Sequence, residues 1–227
     1  MSLIRPIEVY PVGVNIVKGG IPSELKEQAP LQFETGNLGK RQEIADILGQ
    51  PVENIVGRGL NISEIQSRDP REVVFEKAIS AYLKNECNPI IVEDASLEIL
   101  VLSHIFSPPH IKDWVESVKA REDVCKWLDF LDNERGLSDR RAKAIVMYAV
   151  YDGNEVQFRE GIVNGLIADH PRGSNGFGYD DIFIPSDQPE DQSKTQAEMS
   201  KNEKNKYSPR SRALDEIKIK PFKLDRS

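Results

Sequence analysis

Apolar and polar positions alternate along the chain in a way that predicts short strands interleaved with amphipathic helices. Ile7, Val9, Val14 and Ile16, interrupted by Pro11 and Gly13, predict a strand or hairpin in an N-terminal extension over residues 1–28; a single domain follows over 29–227. Leu31 and Phe33 alternate in a strand that stops at Thr35-Gly36-Asn37, after which Ile44, Ile47 and Leu48 fall at helical spacing. Asp69 as N-cap, Pro70 at the first helical position and Glu72 placed for a capping box open a second helix. Its buried stripe is Val74, Ala78, Ala81 and Tyr82, with Lys77 on the flank. Pro89-Ile90-Ile91-Val92 predicts a buried strand that ends in Glu93-Asp94. Trp114, Val115, Val118, Val124, Trp127, Leu128 and Leu131 repeat at helical period as one broken helix or two, with the tryptophans in the core.

Ala142, Ala144, Val146, Tyr148 and Val150 alternate up to Asp152-Gly153, a hairpin signal, and Val156, Phe158, Ile162 and Leu166 mark the returning strand. The sheet is therefore mixed and the fold class α/β. Gly173, Gly176 and Gly178 crowd a loop before a strand at Ile182-Phe183-Ile184, and residues 186–194 are polar enough for a mobile surface loop. Thr195 with Glu198 makes a capping box, and Ser208 with Pro209 opens a last helix carrying Ala213, Leu214 and Ile217. Neither an internal repeat nor a long linker divides the domain.

Composition narrows the partners. The 227 residues can bury a substantial core, and 30 Lys+Arg against 37 Asp+Glu give a net charge of −7. That balance argues against nucleic acid as a partner, so a polyanionic substrate needs locally concentrated positive charge or a metal ion. Cys87 and Cys125 show neither metal-ligand spacing nor a disulfide framework and read as buried thiols of a reducing compartment. With no apolar run of ~18–20 residues and no secretory pattern, the expectation is a cytoplasmic protein without a membrane partner.

Phosphate-loop, dinucleotide, zinc-protease and serine-hydrolase signatures are missing, and His104, His110 and His170 lack ligand spacing. Thr35-Gly36-Asn37-Leu38-Gly39-Lys40, between strand and helix, is either a tight connection or a phosphate cradle whose backbone N–H groups face an anion, with Lys40 adding charge. Glu93 and Asp94 at a strand end, with Glu64 in a polar connection, are either solvated acids or carboxylates able to hold Mg²⁺ jointly. Lys201, Lys204, Lys206, Arg210 and Arg212 form a basic cluster in an acidic chain, either a solvated helix face or the positive wall a triphosphate needs.

In this order, Thr35 to Lys40 with Glu43-Ile44, Glu64-Ile65-Gln66, Glu76-Lys77-Ala78, Val92-Glu93-Asp94, Pro171-Arg172-Gly173, Phe177-Gly178-Tyr179-Asp180, Ala197-Glu198-Met199 and Glu203-Lys204-Asn205 with Ser208 and Arg210 resemble the inosine triphosphate pyrophosphatase family. These enzymes remove non-canonical purine nucleoside triphosphates such as ITP, dITP and XTP. The resemblance spans residues 31 to about 217. It implies an elongated mixed sheet with flanking helices, two lobes around a central substrate cleft, and a homodimer. It also implies Mg²⁺-dependent hydrolysis to monophosphate and pyrophosphate. By the same resemblance Thr35, Gly36, Asn37, Gly39 and Lys40 cradle phosphates, Lys77 and Lys204 add charge, and Glu64 and Asp94 hold Mg²⁺. Asp94 also accepts the proton of the attacking water. Phe177, Gly178 and Tyr179 wall the base, while Asp180, Ser208 and Arg210 meet its polar edge.

Three departures stand out. Ala95, followed by Ser96, replaces a hydroxyl usual in the family; the loop Ser103 to Pro109 contains no glycine; and Ser208-Pro209-Arg210 replaces Ser-His-Arg. Glu34 beside the phosphate turn is unexpected as well. Two alternatives therefore accompany the main expectation: the same chemistry with altered base preference, or a catalytically weakened nucleotide-binding protein.

Overall fold

The computed structural model describes residues 31–65, 67, 69–103, 117–189 and 191–219. The N-terminal hairpin expectation, Trp114 and Val115, and the glycine-free loop from residue 104 onward lie outside the described residues. Described elements run β1 (Leu31–Phe33), α1 (Leu38–Leu48), β2 (Ile55–Gly57), α2 (Pro70–Lys84), β3 (Ile90–Ile99), α3 (Leu100–Ser103), α4 (Val118–Arg135), β4 (Arg141–Tyr151), β5 (Val156–Ile167), β6 (Phe183–Pro185), α5 (Lys201–Lys206) and α6 (Pro209–Ile219). They build a six-stranded sheet of order β2-β1-β3-β4-β5-β6. β1 pairs parallel with β2 and β3, whereas β3 to β6 pair antiparallel, so the sheet is mixed as the hairpin signal predicts. No helix among the described residues is long and apolar enough to cross a membrane.

Side chains on a strand alternate between faces, and the long strands β3 and β4 sort the core accordingly. On one face Phe33, Ile91, Val146, Tyr148 and Val150 pack with Ile44 of α1 and Ala213, Leu214 and Ile217 of α6. On the other, Ile90, Val92, Met147 and Ala149 pack with Val74, Ala78 and Ala81 of α2. At the far end of the same strands Leu97, Ile99, Ala142 and Ala144 join Val124, Cys125, Leu128 and Leu131 of α4. β1 meets β3 at Phe33↔Ile91, so β3 runs on past the end of β1. This leaves Glu93 and Asp94 at a crevice beside the carboxyl end of a parallel strand, where open α/β sheets bind ligands.

Several sequence expectations need correction. Trp127 is 46% exposed, because α4 spends its inward stripe on Val124, Leu128 and Leu131. In the returning strand β5, Val156 is buried and Phe158 packs against the α2 cluster as its apolar pattern predicts, but the other phase is buried as well: Gln157, Arg159, Gly161, Val163, Gly165 and Ile167 face inward, and Leu166 is exposed. Helix α6 dictates that phase, since a Cβ on Gly161 would lie 1.9 Å from the Pro209 carbonyl oxygen. The polar stretch after β6 is exposed at most of its described residues, as expected, but Gln188 is buried: its amide donates to the Pro185 and Lys194 carbonyls at 2.9 and 2.8 Å and accepts from the Lys194 amide at 3.1 Å. Glu72 takes its bond from Ser67 instead of closing a capping box, while Asp69 caps α2 through the Arg71 amide. Cys125 is buried, but Cys87 is exposed.

Candidate active site

At the end of β1, Thr35 Oγ1 accepts from the Asn37 amide at 3.1 Å and Asn37 Oδ1 accepts from the Lys40 amide at 3.1 Å, which makes Asn37 the N-cap of α1. Gly36 to Gly39 are exposed, so first-turn N–H groups without intrahelical partners face solvent with the positive end of the helix dipole. Glu34 does not oppose an anion there: both its carboxylate oxygens accept from the Leu60 amide, at 2.8 and 3.0 Å.

Strand alternation sends Glu93 and Asp94 to opposite faces. Glu93 lies on the α1/α6 face and is fully engaged. Its carboxylate accepts from the Tyr148 hydroxyl at 2.7 Å and from Arg210 Nε and Nη2 at 2.9 and 2.8 Å, and it pairs with Lys40 Nζ at 3.0 Å. Burial alone would raise the pKa of this group, but the Arg210 guanidinium, with Lys40 and Tyr148, holds it well below the usual carboxylate range. Arg210 Nη1 pairs with Glu43, which lies 3.6 Å from Lys204 Nζ, and Lys204 donates to Asp180 Oδ2 at 2.8 Å. The result is an alternating buried chain, Lys40–Glu93–Arg210–Glu43–Lys204–Asp180, linking the phosphate turn to the Phe177–Asp180 loop. It is charge-balanced, as buried ions must be.

Asp180 also shapes that loop, accepting from the Phe177 amide at 2.7 Å. Gly176, at φ +82°, leaves room for its carboxylate, for a Cβ there would lie 2.0 Å from Asp180 Oδ2. Burial raises the Asp180 pKa, with Lys204 opposing. The Phe177 ring is 39% exposed and stacks over both cations, 4.8 Å from Lys204 Nζ and 5.7 Å from the Arg210 guanidinium carbon. Gly39 lies beside it, the position of a Cβ being 3.8 Å from the ring. Tyr179 packs edge-on against Phe183, and Ser208, which is buried, caps α6 through the Arg210 amide at 3.1 Å.

On the α2 face, Lys77 Nζ pairs with Glu64 and donates to the Glu93 carbonyl at 2.9 Å. Burial raises the Asp94 pKa, Lys77 lowers it, and Glu64 raises it further. Asp94 thus sits within the electrostatic reach of Glu64, Lys77 and Lys40 together. Glu64 precedes α2 in the chain and Asp94 follows it on β3, and Lys77 of α2 acts on both. Among the described residues no group of three or more His, Cys, Asp or Glu side chains could hold a metal. A pair of carboxylates suits Mg²⁺, which binds through one or two and takes its remaining ligands from water and phosphate oxygens.

Of the residues expected at the site, Lys40, Lys204, Arg210 and the Phe177 loop are linked by the charges on the α1/α6 face, while Lys77, Glu64 and Asp94 group on the α2 face. Glu43 and Tyr148 have no role in the sequence expectation. The signal for Glu43 was an acid on the inward side of α1, three residues beyond Lys40.

A family model described as Ham1 family matches residues 31–220. The chain belongs to the Ham1 family. Among curated Ham1 relatives, a dITP/XTP pyrophosphatase of Hyperthermus butylicus is 36% identical over 191 residues, covering 84% of this chain and 94% of its own. Inosine triphosphate pyrophosphatase 2 of Trypanosoma cruzi is 35% identical over 188 residues, covering 81% and 88%. A HAM1 protein from Coxiella burnetii superposes with a TM-score of 0.66 at 24% identity, covering 85% of this chain and 98% of that one, and so shares the fold.

Proposed function

We propose that this protein hydrolyses non-canonical purine nucleoside triphosphates such as ITP, dITP and XTP to the monophosphate and pyrophosphate, with Mg²⁺ as cofactor. The supporting observation is that two charge clusters meet at Glu93-Asp94: Lys77 joins Glu64 to the Glu93 carbonyl on one side, and Lys40, Arg210 and Glu43 link the Glu93 carboxylate to Lys204 beside the exposed Phe177 ring on the other. The names of its Ham1 relatives support the substrate class.

Thr35, Gly36, Asn37 and Gly39 present backbone N–H groups to phosphate oxygens, and Lys40, Lys77 and Lys204 exchange their internal carboxylate partners for the triphosphate. Glu64 and Asp94 would hold Mg²⁺, which supplies positive charge against the triphosphate and a site for water. Asp94 accepts the proton of the attacking water, a task suited to a carboxylate whose pKa is raised by burial. Neutralising charge on the leaving pyrophosphate then makes a covalent intermediate unnecessary. Phe177 and Tyr179 wall the purine. A donor of Arg210 beside the ring would favour a 6-keto oxygen over adenine's amino group, which would leave that buried donor unpaired. The homodimer belongs to this proposal on the strength of the family resemblance, and the cytoplasmic location on two cysteines that show neither metal-ligand spacing nor a disulfide framework.

The test is pyrophosphate release from ITP, XTP, GTP, ATP and pyrimidine triphosphates, with and without Mg²⁺. Turnover confined to ITP, dITP and XTP and dependent on Mg²⁺ is the expected outcome. Equal turnover of ATP overturns the base assignment, and saturable binding without product overturns the enzymatic one.

A further inference from the structure

The Phe177–Asp180 loop is held on two sides. Asp180 ties it to Lys204, and Asp181 ties the next residue to a different part of the fold. Arg121, in the first turn of α4, places Nε 2.6 Å from Asp181 Oδ1, with side-chain exposures of only 10% and 15%. The Asp181 carbonyl also accepts from the Arg172 amide at 2.8 Å. Immediately downstream, Ile182 and Phe183 enter the same core cluster as Val124, Cys125 and Leu128 of α4, and Tyr179 packs against that cluster. The loop that walls the candidate base site is therefore anchored by an ion pair to a helix that supplies no proposed phosphate or metal ligand.

We infer that the Arg121–Asp181 ion pair is a positioning device for base recognition, fixing the Phe177 and Tyr179 walls against α4 without contributing to phosphate or metal binding. The inference rests on the proposed nucleotide substrate. Arg121 Nε and Asp181 Oδ1 meet as close opposite charges without hydrogen-bond alignment, and their attraction between two packed elements holds the loop against α4. Asp180 and Asp181 point their carboxylates at Lys204 and Arg121 respectively. The loop is thus spanned between the cation chain of the crevice and the cation of α4. Releasing the second attachment lets the aromatic walls shift while Lys204, carried on α5, keeps its place for the phosphates, and small misplacements of the bound base are costly.

The experiment uses Asp181→Asn, Arg121→Gln, the double variant and Arg121→Lys in the full chain. KM and kcat are measured for ITP, together with inhibition by inorganic tripolyphosphate, which carries phosphates but no base. Expected is a rise in KM for ITP of about tenfold in both single variants and no more in the double variant, with kcat and the tripolyphosphate Ki within about twofold of wild type. Arg121→Lys, which keeps the charge, recovers most of the affinity. An unchanged KM for ITP overturns the inference, and so does a parallel rise in the tripolyphosphate Ki, which marks a general structural role. If Arg121→Gln fails to fold, the nearly isosteric Asp181→Asn carries the same test; unfolding of both assigns the pair to the core and also overturns it. A wild-type protein inactive on every triphosphate would instead strike the proposed function, so the two failures are distinct.

Discussion

Arg210→Ala removes the centre of the buried charge chain. In the native protein the guanidinium is 4% exposed and pairs with Glu93 through Nε and Nη2 and with Glu43 through Nη1. Its loss leaves two buried carboxylates short of a partner, and breaking a buried pair in this way costs about 3–5 kcal/mol. Lys40 still neutralises part of Glu93 and Lys204 part of Glu43, so the lower end, about 3 kcal/mol, applies. At ~2–4 °C per kcal/mol for a domain of this size, the melting temperature at pH 7 falls by roughly 6–12 °C. The pH dependence gives a second signature. Wild-type Glu93 has a depressed pKa, so its contribution is present above the ordinary value of 4.5 and is lost only as pH falls through the lower folded value. Without Arg210 the desolvation of Glu93 is no longer outweighed, its pKa rises above the unfolded value, and acid relieves the strain. Scanning calorimetry from pH 7 to 5 should show the melting-temperature gap between wild type and Arg210→Ala narrowing as pH falls. A drop below ~2 °C at pH 7, or parallel pH profiles, would show that Arg210 does not hold the chain together.

Other outcomes follow from the same geometry. Asp94→Asn, which keeps shape and removes the proton acceptor, should abolish pyrophosphate release while leaving the melting temperature at or above that of wild type, because a buried acid with a raised pKa is lost; retained turnover removes Asp94 from the mechanism. Gly161→Ala should fail to fold or melt far below wild type, as its Cβ would collide with α6 backbone at 1.9 Å, and a normal thermal unfolding curve would refute the proposed β5–α6 contact. An aromatic disulfide reagent at pH 8 should titrate one thiol per native chain, the exposed Cys87. Burial pushes the Cys125 pKa up to about 11, so that thiol should react only after guanidinium unfolding; two rapidly reacting thiols contradict the burial of Cys125.

The features legible in the chain alone are local ones. Asn37 and Asp69 cap α1 and α2 because a side-chain oxygen two or three residues from an unpaired N–H needs nothing beyond its own segment. Asp152-Gly153 likewise forces a hairpin, and with it a mixed sheet. The ordered motifs name the charged residues that this hairpin and the parallel β1–β3 pair then set around Glu93 and Asp94. Tertiary structure decided which neighbour each charge finds. Period-two alternation separates Glu93 from Asp94, but it does not say which faces Arg210, a residue 117 positions away, and which faces Glu64. It decided the phase of β5 as well, where the close approach of α6 selects glycine and places Arg159 inward against the apolar pattern. Glu34 bonds to Leu60, and Arg121 to Asp181, for the same reason. Capping and turn energies act over a few residues of chain, whereas the partner of a buried charge is chosen by which helix the sheet packs against it.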